Sequence, residues 1–320
     1  MRSFLVCALA ILAILVSACA STQATPQSQP GPGSQSTPGT VPSPAASAFP
    51  MTVTDDAGRK VTIAREPQRI ISLASSNTEI LFALGLGNRV VGVDQYSDYP
   101  PAAKDKPQVG SFVSPDLEKI MALQPDLILG TEMHLQTTVP ELEKRGLTVM
   151  IVNPKTVKSV LSGITLVGRV TGRQNEAEAL VKSMQDRIAS VEARWKGAKP
   201  VRTFFELSPE LYTAGPGSFV DDMIRLAGGS NIAANSGKEW PQLNQESLIL
   251  ADPEVIFLAD HGSDGGQNPQ TVAARPGWKQ ISAVKTGRIF EIDPNLTNRP
   301  GPRVVDGLEM MVDRLHPRKP

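Results

Sequence analysis

Glu118-Lys119-Ile120-Met121-Ala122-Leu123-Gln124-Pro125-Asp126-Leu127-Ile128-Leu129 and Glu246-Ser247-Leu248-Ile249-Leu250-Ala251-Asp252-Pro253-Glu254-Val255-Ile256-Phe257 are two versions of one pattern. In both, a Glu stands seven residues before a Pro, and an acid and an apolar run follow the Pro. Proline lacks an amide hydrogen and disfavours helix in the residue before it, so it divides a short helix from a buried strand at both places. The copies lie on either side of a long helical segment. Two similar lobes with a cleft between them are therefore expected, and such a cleft is a natural ligand site.

The segment between the copies, residues 174–196, contains no Pro or Gly. Leu180, Met184, Ile188, Val191 and Trp195 recur at steps of three and four, as an amphipathic helix requires. Thr171-Gly172-Arg173 separates it from an earlier helix over about 156–170, and Gly197 and Pro200 close it. Towards the N terminus, residues 51–63 read as a hairpin around Asp55-Asp56-Ala57-Gly58. Strands are expected at 69–73, 90–93, 127–129 and 148–152. Between them, Ser76-Asn77-Thr78-Glu79 reads as a capping box opening a helix over 80–84, stopped by Gly85-Leu86-Gly87-Asn88. Ser114-Pro115 reads as the start of a helix running to Leu123, and residues 141–145 as a further helix. A second α/β run covers 201–315, with a strand at 255–258. Alternating α and β elements predict parallel sheets covered by helices. The expected fold is α/β: two Rossmann-like lobes with parallel central sheets, 51–172 and 198–320, joined by a single long spine helix, 173–197.

The first residues read as a targeting segment. Arg2 is followed by an apolar run from Phe4 to Val16, too short for a spanning helix but suited to a signal. Val16-Ser17-Ala18-Cys19 resembles a lipobox, with cleavage before Cys19 and lipid on its sulfur. Residues 1–18 are then a lipoprotein signal peptide. Residues 19–50, dominated by Ser, Thr, Pro, Gly, Ala and Gln, are a lipid-anchored disordered tether. The chain holds two cysteines; Cys7 is discarded with the signal, so no structural disulfide is expected. Lys+Arg and Asp+Glu are each 32, which points away from a nucleic-acid partner. No P-loop, G-x-S-x-G elbow or H-E-x-x-H occurs, so neither an ATPase nor an enzyme of those classes is indicated.

Asp55-Asp56-Ala57-Gly58-Arg59, Pro67-Gln68-Arg69-Ile70-Ile71-Ser72-Leu73, Asn77-Thr78-Glu79, Leu84-Gly85-Leu86-Gly87 and Val91-Gly92-Val93 together resemble the class III solute-binding proteins for cobalamin, iron-siderophores and haem. Tyr96-Ser97-Asp98-Tyr99-Pro100 and Trp240-Pro241-Gln242 are most similar to the cobalamin-binding members. The resemblance covers nearly all of 51–317. It implies a monomeric, extracytoplasmic receptor that closes only slightly and delivers its ligand to an ABC permease dimer with its ATPase subunits. By position it implies that Tyr96, Phe112, Tyr212, Trp240 and Arg299 meet the ligand. Rigid aromatics suit the broad apolar face of a corrinoid, and polar groups suit its amide rim. Phe112 stands for a tryptophan of the cobalamin proteins, as do Thr131 and Leu296, and Asn295 stands for an acid. The implied ligand is cobalamin, with haem and ferric siderophores as alternatives and no catalytic cofactor. Glu118 and Glu246 align with the glutamates that dock such receptors onto permease arginines; acids in first helical turns are also favoured by the helix dipole. His134 and His261, each following an expected strand, are the positions from which a Zn or Mn site or an axial haem ligand would be built; two exposed loop histidines is the simpler reading. A surface enzyme or adhesin on the same frame is the alternative from another class.

Overall fold

A computed structural model describes residues 49–259 and 267–318. The signal segment, Cys19, nearly all of the tether and His261 lie outside the described residues.

Strands β1 (Met51–Thr54) and β2 (Lys60–Ile63) form the expected antiparallel hairpin. The Asp55 carboxylate closes its turn by accepting from the amides of Ala57 and Arg59, at 3.1 and 2.9 Å. The same carboxylate accepts from the Ile151 amide, which ties the hairpin to the first lobe.

The N-terminal lobe then runs β3 (Ile70–Ser72), α1 (Ser75–Ala83), β4 (Val90–Val93), α2 (Leu117–Ala122), β5 (Leu127–Gly130), α3 (Thr138–Glu143), β6 (Val149–Ile151) and α4 (Val157–Val170). The spine is α5 (Gln174–Trp195). The C-terminal lobe runs β7 (Val201–Glu206), α6 (Phe219–Leu226), β8 (Gly229–Asn231), α7 (Gln245–Ala251), β9 (Val255–Leu258), α8 (Pro269–Ala273), α9 (Ser282–Lys285), β10 (Ile289–Glu291), α10 (Pro294–Thr297) and α11 (Val304–Leu315). The two sheets are ordered β4-β3-β5-β6 and β8-β7-β9-β10, all parallel. Counted within each lobe, both sheets read second, first, third, fourth, so the lobes share one winding.

The echoed segments are α2–β5 and α7–β9, and their agreement extends to the backbone. Each helix has a side-chain cap: Asp116 accepts from the Glu118 and Lys119 amides, and Asn244 accepts from that of Ser247. Each ends in a left-handed residue before its proline, Gln124 at φ 46° and Asp252 at φ 43°. The acid after each proline accepts from a backbone amide at the start of the lobe's first strand: Asp126 from Arg69 at 2.9 Å, Glu254 from Arg202 at 3.1 Å. The guanidiniums of those two arginines return to the helix-end carbonyls of Leu123 and Asp252. One arginine–acid clasp thus holds helix to strand in both lobes.

Two helix starts differ from expectation. Helix α1 begins at Ser75 behind Ala74, without a side-chain cap. Its expected box residues are buried and bonded outside the helix: Asn77 Nδ2 donates to the carbonyls of Gly130 and Val152, and Thr78 Oγ1 meets the hydroxyls of Ser72 and Ser97. Tertiary partners outcompete the local cap. Helix α2 begins after Asp116 rather than at Ser114-Pro115, because the Asp116 carboxylate reaches two of the free first-turn amides.

Ala177, Met184 and Val191 are the buried residues of the spine, seven apart. They join a core cluster that includes Ile80 and Val167 of the first lobe and Met223, Phe257 and Met311 of the second. Gly168 lets α4 meet the spine, since a Cβ there would lie 2.4 Å from that of Ala177. Arg187 pins the spine to α11 through Asp306 and Glu309, each at 2.6 Å. Each lobe adds a separate core on its other sheet face.

Candidate ligand-binding cleft

Parallel strands put all their carboxyl ends on one side, and ligands of such sheets gather there. Every strand of the N-terminal sheet supplies a wall from the segment after it: Ser75 and Ser76 after β3, Asp94 and Tyr96 after β4, Thr131 after β5, and Asn153 to Lys155 after β6. The C-terminal lobe faces these with Phe219 and Val220 of α6, Glu239 and Trp240 before α7, and Asn298 to Pro300 before α11. The cavity between them measures about 710 Å³, within the range of small-molecule and cofactor sites.

Four of the five expected ligand residues line this cavity: Tyr96, Phe112, Trp240 and Arg299. Tyr96 and Trp240 are each about half exposed, one from each lobe. Gly215 allows the Trp240 loop to fold down, since a Cβ there would sit 2.0 Å from the Lys238 carbonyl oxygen. The Gly215 amide donates to the Glu239 carbonyl at 2.8 Å. Tyr212 is not part of the wall. It forms a bridge with Gln242, and Trp240, two residues along that segment, takes the place facing the cavity. Asn295 and Leu296 do not line it either, whereas Thr131 does.

His134 belongs to the structure behind the wall. It is buried; its Nδ1 accepts from the Thr131 amide at 3.0 Å, so its Nε2 carries the proton and donates to the Phe112 carbonyl at 2.8 Å. Burial holds the imidazole below its ordinary pKa, against the Phe112 and Thr131 bonds, which act to raise it. Both ring nitrogens are used, so His134 is neither an exposed loop histidine nor free to bind metal. It positions Phe112, which it meets edge-on at 5.4 Å. Among the described residues no cluster of His, Cys, Asp and Glu has the spacing of a metal site.

Charge is organised around the cleft by pairs that cross between lobes. Glu79 of α1 is buried and accepts two bonds from Arg303, at 2.9 and 2.6 Å. Arg303 in turn lies 3.9 Å over the Tyr99 ring. Arg299 donates to Asp98 at 2.6 Å and lies 3.7 Å from Glu79. Burial acts to raise the Asp98 pKa, but the Arg299 bond and charge outweigh it and hold the carboxyl low. Lys155 pairs with Glu132 of its own lobe and with Glu239 of the other, the latter at 3.6 Å. Burial acts to lower the Lys155 ammonium, and the two acids raise it overall. Asp94 is buried beside Tyr96; desolvation raises its pKa, opposed by bonds from the Ser97 hydroxyl and the Tyr96 amide. Sequence reasoning missed Glu79, Asp94, Asp98, Lys155, Glu239 and Arg303. Glu79 was visible as an acid in a polar tetrad, but a local cap explained it; the other five carried no periodic signal.

Glu118 and Glu246 are exposed, and each is the second residue of its helix, α2 or α7. These helices run back against the strands that follow, so both acids lie on the side of the sheets where the cleft opens.

The periplasmic binding protein family matches residues 70–296. The chain is 34% identical over 278 residues to the uncharacterized ABC transporter substrate-binding lipoprotein YvrC of Bacillus subtilis, covering 84% of this chain and 86% of the relative. It is 31% identical over 280 residues to the cobalamin-binding protein of Halobacterium salinarum, covering 84% and 74%. Its fold superposes on the periplasmic heme-binding protein RhuT from Roseiflexus sp. RS-1 with a TM-score of 0.70 at 30% identity, covering 78% of this chain and 98% of that one. With two like-wound lobes, a spine helix and one cleft between them, the chain belongs to the periplasmic binding protein family, in the class III branch, as the extracytoplasmic substrate-binding protein of an ABC transporter.

Proposed function

We propose that this protein is a lipid-anchored receptor, tethered through Cys19, that captures cobalamin or a related corrinoid and hands it to an ABC permease dimer without catalysing a reaction. The carrying observation is the wall of the cleft. Four aromatics drawn from both lobes, Tyr96, Phe112, Phe219 and Trp240, surround a cavity whose cations are already paired with acids. A broad apolar macrocycle with neutral amides at its rim meets such a wall without displacing a charge pair. The cobalamin-binding relative supports this choice of ligand. Glu118 and Glu246 serve as matched docking acids, one on each lobe, for the two halves of the permease.

Haem is the competing ligand, because the phenol of Tyr96 is in the cavity wall and a tyrosine is one of the axial ligands haem iron takes. The test is titration calorimetry and visible spectroscopy of the purified protein with cyanocobalamin, haem and ferric siderophores. Saturable, one-to-one binding of cyanocobalamin is expected. Tight haem binding with a tyrosinate-type spectrum, lost in Tyr96→Phe, and no corrinoid binding would overturn the corrinoid assignment.

A further inference from the structure

The two cations that line the cleft, Arg299 and Lys155, come from opposite lobes, and each is met by an acid of the other lobe: Arg299 by Asp98 at 2.6 Å, Lys155 by Glu239 at 3.6 Å. We infer that Asp98 and Glu239 are specificity-determining residues, cancelling the charge of the two cleft cations so that the site takes a ligand with an uncharged amide rim and refuses one with a carboxylate rim. This rests on the corrinoid reading above and deepens it.

The charge around the cavity supports it. Ion pairs connect the carboxylates of Glu79, Asp98, Glu132 and Glu239 with the cations Lys155, Arg299 and Arg303, and Asp94 stands in the wall beside them. Acids outnumber cations, so an incoming carboxylate meets net repulsion. To reach either cation it would have to share Arg299, whose side chain is only 17% exposed, with Asp98, or share Lys155 with its two acids, at a cost in repulsion from those carboxylates. Glu79 offsets Arg299 only in part once Asp98 is gone, because it stands 3.7 Å away and shares its charge with Arg303, which bonds to both of its oxygens. Removing Asp98 therefore takes away the nearer partner of Arg299 and leaves its positive charge less compensated at the cleft. Rejection of a like-charged partner is how charged groups ordinarily select among ligands of one shape.

The test compares cyanocobalamin with its monocarboxylic acid, in which one peripheral amide is hydrolysed, so that only rim charge differs. Affinities for both are measured by calorimetry on the wild-type protein, Asp98→Asn, Glu239→Gln and the double variant, with Asp105→Asn on an exposed turn as the control. The wild type should prefer the amide by about tenfold or more. Asp98→Asn should bind the acid about tenfold more tightly while its affinity for cyanocobalamin changes less than about threefold, and the gain should shrink as salt is raised. Glu239→Gln lies in a loop and provides a second measurement should Asp98→Asn fold poorly. An unchanged amide preference in the variants, or equal weakening of both ligands, overturns the inference and leaves the corrinoid reading in place. A wild-type protein that binds haem, with its two propionates, and neither corrinoid overturns both.

Discussion

Replacing Glu79 by Gln should destabilise the protein by about 3 kcal/mol. Glu79 is the buried carboxylate through which the second lobe grips the first: its side chain is 2% exposed, and both oxygens bind Arg303. Gln has nearly the same volume, so no cavity opens. It removes the charge, however, and turns an amide NH2 towards a guanidinium that can only donate. Removing one member of a buried pair costs roughly 3–5 kcal/mol, because the other is left buried and unpaired. The lower end applies here, since Arg303 keeps some contact with solvent and stacks over Tyr99. Each kcal/mol moves the midpoint by about 2–4 °C in a chain of this size, so a fall of roughly 6–12 °C is expected. Urea unfolding followed by circular dichroism, with scanning calorimetry alongside, would measure both. A double-mutant cycle with Arg303→Met should show a coupling of about 2 kcal/mol or more. A loss under about 1 kcal/mol, or additivity in the cycle, would refute the claim that this pair joins the lobes.

Trp240→Ala and Tyr96→Ala should each weaken ligand binding by roughly 1–3 kcal/mol, about 5- to 150-fold, while unfolding midpoints move little because both rings are half exposed. Equal losses of affinity and stability would place these rings in the fold rather than the site. Glu118→Ala combined with Glu246→Ala should abolish uptake by the transporter and leave ligand affinity intact; normal uptake would remove the docking role. His134 titrates in the fold below the ordinary imidazole value of about 6.5, so the unfolded chain takes up its proton first. Its contribution is fully present above pH 6.5 and is lost as pH falls towards the folded value. Stability of the wild type should decline as pH falls below about 6.5, and a decline of the same size in His134→Gln would exclude this source.

The lobes, the spine and the repeat were legible because they rest on local chemistry: a proline between helix and strand, an apolar stripe at helical spacing, and a matched acid beyond each proline. The matched left-handed residues and the arginine clasps were not, because each depends on the strand that the chain lays alongside later. Among site residues, Tyr96 and Trp240 stood out as aromatics set among turn-forming and polar neighbours. Tyr212 has a similar setting, but its backbone bridges to Gln242 and the residue is not part of the cavity wall. The ionic groups of the cleft were hidden for a further reason. Arg299 and Asp98 are 201 positions apart, and Arg303 and Glu79 are 224 apart, so no window of sequence contains either pair.

The shared core has a mechanical consequence. Buried side chains of both lobes and of the spine form one cluster, so shifting one lobe against the other means shearing a close-packed interior as well as parting Glu79 from Arg303. A cleft held in this way is built before the ligand arrives, and little of the binding energy is spent on ordering its walls. A partner that gripped one lobe alone would carry the whole body with it and leave the cavity unchanged. Strain across the cleft requires two points of purchase, one on each lobe. Helices α2 and α7 offer them in equivalent form, each with an exposed acid at its second position behind a side-chain cap. Two like-wound lobes thereby carry equivalent handles, as the proposed docking onto a two-fold permease requires.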